Sequence, residues 1–445
     1  MLTISQRIDR LPSTPMLKKI LFITGLGWMF DAMDQGMVSG VMAAIGKEWA
    51  LSTGQLGLLG SAGMLGMALG AALSGMTADR LGRRAVIMWT LVIFGLGSGL
   101  SGFSANYPML LVLRFITGFG LGGELPAAST YISEFSPTKI RGRNVILLES
   151  FWAWGWIAAA LVAYLMIPVY GWRAAFFIGA VPALLAALLR KLIPESPRYL
   201  EAAGRKEEAD ALVRRMESEA GISFEDQTGE AGGSGIKKSK VSFFDLWSKK
   251  YIRSTVVLWV IWFGVNFGYY GFVLWTPSLL VGKGFALVKS FEFTLIMCLA
   301  QLPGYFSAAW LVERIGRKKV LSAYFAGTAL AAWLFGHAAS AGEVLIYGCL
   351  LYFFSLGAWG CVYAYTPEIY PTVARGSGTG WAAAFGRLGA FTAPFIVPVI
   401  YNFYGTDAGY VYVFAMLTAV FATVAIVVAV LGKETMGKSL EEISE

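Results

Sequence analysis

A few charged residues sit inside long apolar runs of this 445-residue chain. Asp31 and Asp34 fall in the run 18–45, Arg114 and Glu124 in 108–133, Glu149 at the start of 146–168, and Arg387 in the middle of 378–400. In a hydrocarbon solvent each costs about 2.5–3.5 kcal/mol on insertion scales, so charges kept there usually mark ion, proton or substrate chemistry. The sole histidine, His337, lies at the outer end of its run, so carboxylates must carry any proton through the interior. Arg387 stands in GWAAAFGRLGAFTAPF (380–395) with no acid in its own run or in the runs 344–366 and 409–431. It must face a cavity or a carboxylate from elsewhere, because a guanidinium facing lipid is untenable. In a cavity, its planar fork of donors matches a substrate carboxylate bidentately. The alternative is a structural salt bridge with Glu124 or Asp31.

Aromatic residues gather in several of these runs: Trp152, Trp154 and Trp156; Tyr269, Tyr270 and Trp275; Trp359, Tyr363 and Tyr365; Trp381 and Phe385. Many serve helix packing or the interfacial belt. Flat aromatic walls combined with one arginine also suit a flat ring bearing a carboxylate. Glu124 precedes Pro126 and lies roughly 80° around a helix from Arg114 at about 100° per residue. A second proton site and a structural hydrogen-bonded acid are both open for it. Glu149, near the surface, reads as a latch partner.

The elements that must hold these residues are membrane spans. Only 14 % of residues are charged and 56 % are apolar, and the mean hydropathy is +0.61, so most of the solvent is lipid. Fifty-three glycines and fifteen tryptophans fit close helix approach and headgroup anchoring. Cys298, Cys349 and Cys361 lie inside apolar runs without Cys-x-x-Cys spacing, so neither a disulfide framework nor a metal site is indicated. The net charge of +8 lies between apolar runs rather than on a globular face, which argues against nucleic acid. The first run contains two acids and no small-residue cleavage site follows it, so it is expected to remain as a span.

With about 20 apolar residues needed per span, twelve are expected: 18–45, 54–77, 85–104, 108–133, 146–168, 173–193, 254–281, 290–312, 320–339, 344–366, 378–400 and 409–431. Connections after the second, fourth, eighth and tenth carry Arg80, Arg83, Arg84, Lys139, Arg141, Arg143, Arg314, Arg317, Lys318, Lys319 and Arg375, whereas the opposite side carries only Lys47, Arg173, Lys283 and Lys289. The positive-inside rule then places both termini in the cytoplasm of a multi-pass cell-membrane protein. The polar stretch 194–252, with a surface helix around Arg205–Glu219 and a Gly/Ser-rich piece around Gly229–Gly235, reads as a linker between an N-terminal bundle (1–193) and a C-terminal one with its tail (253–445).

The halves repeat. DRLGRR (79–84) recurs as ERIGRK (313–318), and YISEFSPTKIRG (131–142) recurs as YTPEIYPTVARG (365–376), both at an offset of 234 residues. Two motifs at one offset imply a duplication, with a substrate site expected between the halves near the midplane.

Over nearly its whole length the chain resembles the major facilitator superfamily. Gly75–Arg84 resembles its signature loop, and Arg114-x-x-x-Gly118-x-x-x-Gly122-Gly123 its fourth-helix motif. Glu134 with Arg141, Glu368 with Arg375, PESPR (194–198) and KETMGKSLEE (433–442) resemble the sugar-porter-like branch. Within it, NFGYYGFVLWTP (266–277) and YTPEIYPTVARGSGTG (365–380) resemble the niacin porters and, more distantly, synaptic vesicle glycoprotein 2 relatives and organic ion transporters. The Gln-Gln pair of true sugar porters is absent from WFGVNFGYYG, which favours a small organic ion over a sugar.

The resemblance implies an all-α fold of twelve helices in two pseudo-symmetric six-helix bundles. It further implies latch networks from Asp79, Arg80, Arg83, Arg84, Glu134, Arg141, Glu313, Arg314, Arg317, Glu368 and Arg375; pure topology determinants are the alternative. It also implies a proton switch in which Asp34, upstream of Ser39-Gly40, faces Arg114; by position alone, Asp31, three residues before Asp34 on nearly the same face, is a candidate to share that role, and Glu124 is a further proton candidate beside its structural reading. Protonating Asp34 would release the arginine and bias the conformation, while a static buried pair is the competing reading. Cavity-lining helices in such carriers make Tyr269, Trp359, Tyr363 and Asn266 the expected walls beside Arg387. The expectation is a monomeric, proton-coupled carrier of nicotinate or a similar organic anion, without cofactor or metal. Its rivals are a proton-coupled sugar porter and a transport-like sensor or structural membrane partner. An enzyme is not indicated: no nucleophile–base set is visible, and the Gly-x-Gly-x-x-Gly string at Gly118–Gly123 lies in a membrane run rather than after a strand.

Overall fold

Apolar runs of this length leave the backbone one way to satisfy its own hydrogen bonds in lipid, which is the helix. A computed structural model of the protein describes residues 4–181, 193–221, 243–370 and 372–435, apart from some side chains within the helices. No strand occurs among the described residues. Eight stretches of the described helices are long and apolar enough to cross a membrane, from Arg84–Ser101 to Ala408–Leu431.

In chain order the helices are α1 (Ile4–Arg10), α2 (Pro15–Glu48), α3 (Thr53–Leu81), α4 (Arg83–Ser101), α5 (Tyr107–Phe135), α6 (Thr138–Leu165), α7 (Ile167–Tyr170) and α8 (Trp172–Gly179). They continue as α9 (Pro197–Ala202), α10 (Lys206–Glu219), α11 (Ile252–Val273), α12 (Thr276–Gly282), α13 (Leu287–Leu299), α14 (Gln301–Ile315), α15 (Arg317–Gly336), α16 (Ala341–Ile369), α17 (Thr372–Tyr404) and α18 (Thr406–Leu431). Eleven of the twelve expected spans are covered by these helices; of the sixth, α8 covers the start, and residues 182–192 lie outside the described residues. The Gly/Ser-rich part of the linker also lies outside them.

Polar caps set several boundaries. Asn106 accepts from the Met109 N–H at 3.0 Å to open α5. Ser340 and Glu343 exchange side-chain and backbone bonds in a capping box that opens α16. Two spans expected as continuous are broken. Pro277 cannot donate to Val273, four residues back, so α11 ends there and α12 begins at Thr276. The freed Val273 carbonyl is taken by the Ser39 hydroxyl of α2 at 3.0 Å. Pro303 does the same between α13 and α14, where the helix stops at Leu299.

The chain forms two compact units: unit 1 of Met1–Gln35, Leu65–Ala159 and Arg173–Ile236, and unit 2 of Gly36–Met64, Ala160–Trp172 and Lys237–Glu445. Their boundaries run through α2 and α3, because the ends of those helices bond to the later part of the chain: Ser39 to α11, and Ser61 to the Phe391 carbonyl of α17 at 3.2 Å. Within unit 1 a small satellite core joins Ile4 and Ile8 of α1 to Leu200 of α9 and Ala209 and Val213 of α10. Arg7 reaches both Asp210 and Glu217 there, its Nε donating to Glu217 Oε1 at 2.8 Å. Those hydrogen bonds hold its guanidinium above the ordinary range.

Candidate functional site

Unit 1 buries a complete ion pair. Asp34 on α2 is 0 % exposed and Arg114 on α5 is 2 % exposed. Arg114 Nη2 pairs with Asp34 Oδ2, and Nη1 lies 3.4 Å from Oδ1, so the fork meets both oxygens. The Ser98 hydroxyl of α4 donates to Asp34 Oδ1. Phe176 of α8 lies under the guanidinium, 5.2 Å from ring centroid to Cζ. Four helices therefore fix one charge pair, and the juxtaposition expected of Asp34 and Arg114 is present. Ser39 serves the broken helix in unit 2 instead.

The other acids of unit 1 are held differently. Asp31 is buried and its Oδ1 accepts from the Gln35 amide at 2.7 Å. Glu124 is 0 % exposed, and neither of its oxygens meets a donor among the described residues. It lies against Gly27, where an added Cβ would stand 2.3 Å from Glu124 Oε1. Glu149 is buried on α6.

Unit 2 holds the reverse arrangement. Arg387 is half-buried on α17 and has no ion pair or hydrogen bond among the described residues. The turn carrying it abuts α11: a Cβ on Gly386 would stand 2.9 Å from Asn266 Nδ2 and 2.9 Å from the Trp262 carbonyl. Asn266 spends its amide within its own helix, donating to the Trp262 carbonyl at 2.8 Å.

From Trp262 a chain of rings leads away along α11 and α16. Trp262 meets Tyr363 edge-on at 5.5 Å, Tyr363 and Trp359 lie 6.4 Å apart, and Trp359 and Tyr269 5.3 Å apart. Trp359 and Tyr363 are half-exposed, whereas Tyr269 is buried. The first two present ring surface, and the third supports them from behind. Trp262 was missed by sequence reasoning, although its place one turn before Asn266 on α11 was the available signal. Its indole donates to Thr366 Oγ1 at 3.0 Å, which sets its ring.

At the arginine-rich loops the two units are built alike. Gly82 and Gly316 adopt φ of +94° and +104°, a conformation that favours glycine. Each turn is capped by a carboxylate from far along the chain: Glu195 Oε1 accepts from the Arg84 N–H at 3.3 Å, and Glu434 Oε1 from the Arg317 N–H at 2.8 Å. An anion at a helix N-terminus is favoured by the free N–H groups there. Tyr131 donates to the Pro194 carbonyl and Tyr365 to the Lys433 carbonyl at 2.8 Å, so each glutamate is held by a tyrosine hydroxyl one residue away. Glu195 and Glu434 received no role from the sequence, although both lie in motifs noted there.

Of the expected latch residues, Arg317 pairs with Glu368 at 3.2 Å and Arg141 with Asp9 at 3.6 Å. Asp9 also holds Arg198 at 3.6 Å. Burial, reinforced by Arg141, lowers the Arg198 guanidinium, while Glu134 nearby opposes this. Arg314 is exposed over the Trp310 ring at 4.0 Å. The side chains of Asp79, Arg80, Arg83, Glu313 and Arg375 lie outside the described residues.

The chain is similar to known proteins in sequence and in fold. The family described as Sugar (and other) transporter matches residues 24–445. The chain is 47 % identical over 437 residues to a niacin transporter of Acinetobacter baylyi, covering 98 % of each. It is 45 % identical over 429 residues to a putative niacin/nicotinamide transporter of Bacillus subtilis, covering 95 % of this chain and 98 % of that one. Its fold is similar to that of the xylose transporter of E. coli, with a TM-score of 0.75 at 20 % identity over 95 % of this chain and 99 % of the other.

Proposed function

The chain belongs to the sugar (and other) transporter family of multi-pass membrane carriers, and on that premise we propose that it is a proton-coupled uptake carrier for nicotinate. The observation that carries the specificity is Arg387, a cation without a partner among the described residues, on a turn packed against the Trp262–Asn266 turn and its ring chain. Nicotinate offers one carboxylate for the fork and one flat ring for Trp359 and Tyr363, with Tyr269 and Asn266 backing them. Two relatives named for niacin support the same reading. Asp34 and Arg114 act as the switch: while Asp34 is ionised the pair ties α2 to α5, and protonation loosens it.

The protein works as a monomer in the cell membrane with both termini in the cytoplasm, by alternating access of the six-helix halves 1–193 and 253–445 joined by 194–252. The pairs of Arg317 with Glu368 and Arg141 with Asp9 belong to its cytoplasmic latches. Uptake of labelled nicotinate by cells tests the reading. Competition by benzoate-like acids and not by hexoses is expected. Competition by hexoses alone would make the protein a sugar porter, and binding without accumulation in reconstituted vesicles would make it a sensor.

A further inference from the structure

The acid that the Asp34–Arg114 pair leaves out is Glu124. It is fully buried on α5, and both carboxylate oxygens lack a hydrogen-bond donor among the described residues. From α2 it is approached by Gly27, whose missing side chain makes room for Oε1, and Asp31 stands one turn further along the same helix. From α4 the neighbour is Leu91, which is apolar. On its own helix Arg114 lies ten residues back and roughly 80° around, and its fork is committed to Asp34. Glu124 thus has a second acid one turn from its contact on α2, and no free cation beside it among the described residues.

A carboxylate anion so placed has neither donor nor counter-ion to replace its hydration, and burying it costs several kcal/mol. Two acids in one site titrate as a pair that shares a proton. We propose that Glu124, together with Asp31, forms a second proton-binding site of unit 1, separate from the Asp34–Arg114 switch, which takes a proton onto the carboxyl oxygen and returns it to water during the transport cycle. The proposal rests on the proton-coupled reading above.

Infrared difference spectroscopy on the full chain in lipid, recorded across a pH jump without substrate, tests it directly. A protonated-carboxyl C=O band that titrates in the wild type should vanish in Glu124→Gln, persist in Asp34→Asn and return in Glu124→Asp. The amide absorption of the same samples reports whether each variant keeps its helices. Proton-gradient-driven accumulation of nicotinate should be lost in Glu124→Gln and restored in Glu124→Asp. A titrating band that survives unchanged in Glu124→Gln overturns the assignment. So does loss of the band with wild-type accumulation, which would leave Glu124 a structural acid. The spectroscopic arm needs no ligand, so a wrong substrate fails the uptake measurement and leaves the band untouched.

Discussion

The two units share a frame and differ in what they bury. Near the loops they match part for part: Gly82 with Gly316, Tyr131 with Tyr365, Glu195 with Glu434. In the interior they do not. Shifted by the repeat of 234 residues, Asp34 corresponds to Gly268, Arg114 to Gly348 and Glu124 to Ala358, while Arg387 corresponds to Ala153. Each of these four charges has a small neutral residue at the matching position of the other unit. Duplication supplied the turns and caps that any helical half needs, and the chemistry was then divided. The first unit holds the acids and a paired arginine, the second an arginine without an ion pair among the described residues, on a turn packed against Trp262 and Asn266. Gly268 shows what replaced the charge, since its lack of a side chain admits the Phe421 ring.

The largest effect is expected where that asymmetry is broken in unit 1. Asp34→Asn removes the anion from a buried pair and leaves Arg114 uncompensated, a change that typically costs about 3–5 kcal/mol. Accumulation of nicotinate against a gradient should be abolished, while exchange across the membrane continues because exchange does not need the proton to leave. Accumulation at the wild-type level in vesicles would remove Asp34 from the switch.

A smaller, symmetric effect is expected in the shared frame. Gly82→Ala and Gly316→Ala each force a side chain into left-handed backbone, at about 1–2 kcal/mol. They also bring a Cβ within 2.3 Å of Glu195 Oε2 and 2.5 Å of Glu434 Oε2 respectively. Both should lower the thermal unfolding midpoint by similar amounts, and a clear inequality would show that the two caps are not equivalent.

The smallest effect belongs to the satellite of unit 1. Arg7→Ala frees α1 from Asp210 and Glu217, at about 1 kcal/mol for a pair near the surface. Hydrogen exchange should quicken in Ile4–Arg10 and leave α5 unchanged. Unaltered exchange in α1 would mean that the apolar contacts of Ile4 and Ile8 hold it without the arginine.

Much of this was legible beforehand, for particular reasons. Charges in apolar runs stand out against their surroundings, so Asp34, Arg114, Glu124 and Arg387 could be picked by type alone. The repeated loops fixed the frame because two motifs shared one offset. The helix breaks were misjudged at 254–281 and 290–312, where hydropathy stays high across Pro277 and Pro303 and hides the lost backbone bond. Glu434 and Glu195 act on residues more than a hundred positions away, and Arg7 pairs across about two hundred. Nothing local in sequence announces such partners. Asn266 was expected beside Arg387 and is adjacent to its turn, but the bond from its amide to the Trp262 carbonyl appears only in the folded helix.

Arg387 of unit 2 has no ion pair among the described residues, and the proposed reading gives that place to the substrate carboxylate. Isothermal titration of nicotinate and of nicotinamide, which keeps the ring and lacks the charge, onto wild type, Arg387→Lys and Arg387→Ala tests this most directly. Charge-assisted pairing worth about 1.5–3 kcal/mol corresponds to roughly tenfold to a hundredfold in Kd. Nicotinate binding should weaken in Arg387→Lys, where the fork is lost, and further in Arg387→Ala, where the gap between the two ligands should narrow. Nicotinate binding to Arg387→Ala as tightly as to wild type would contradict the account.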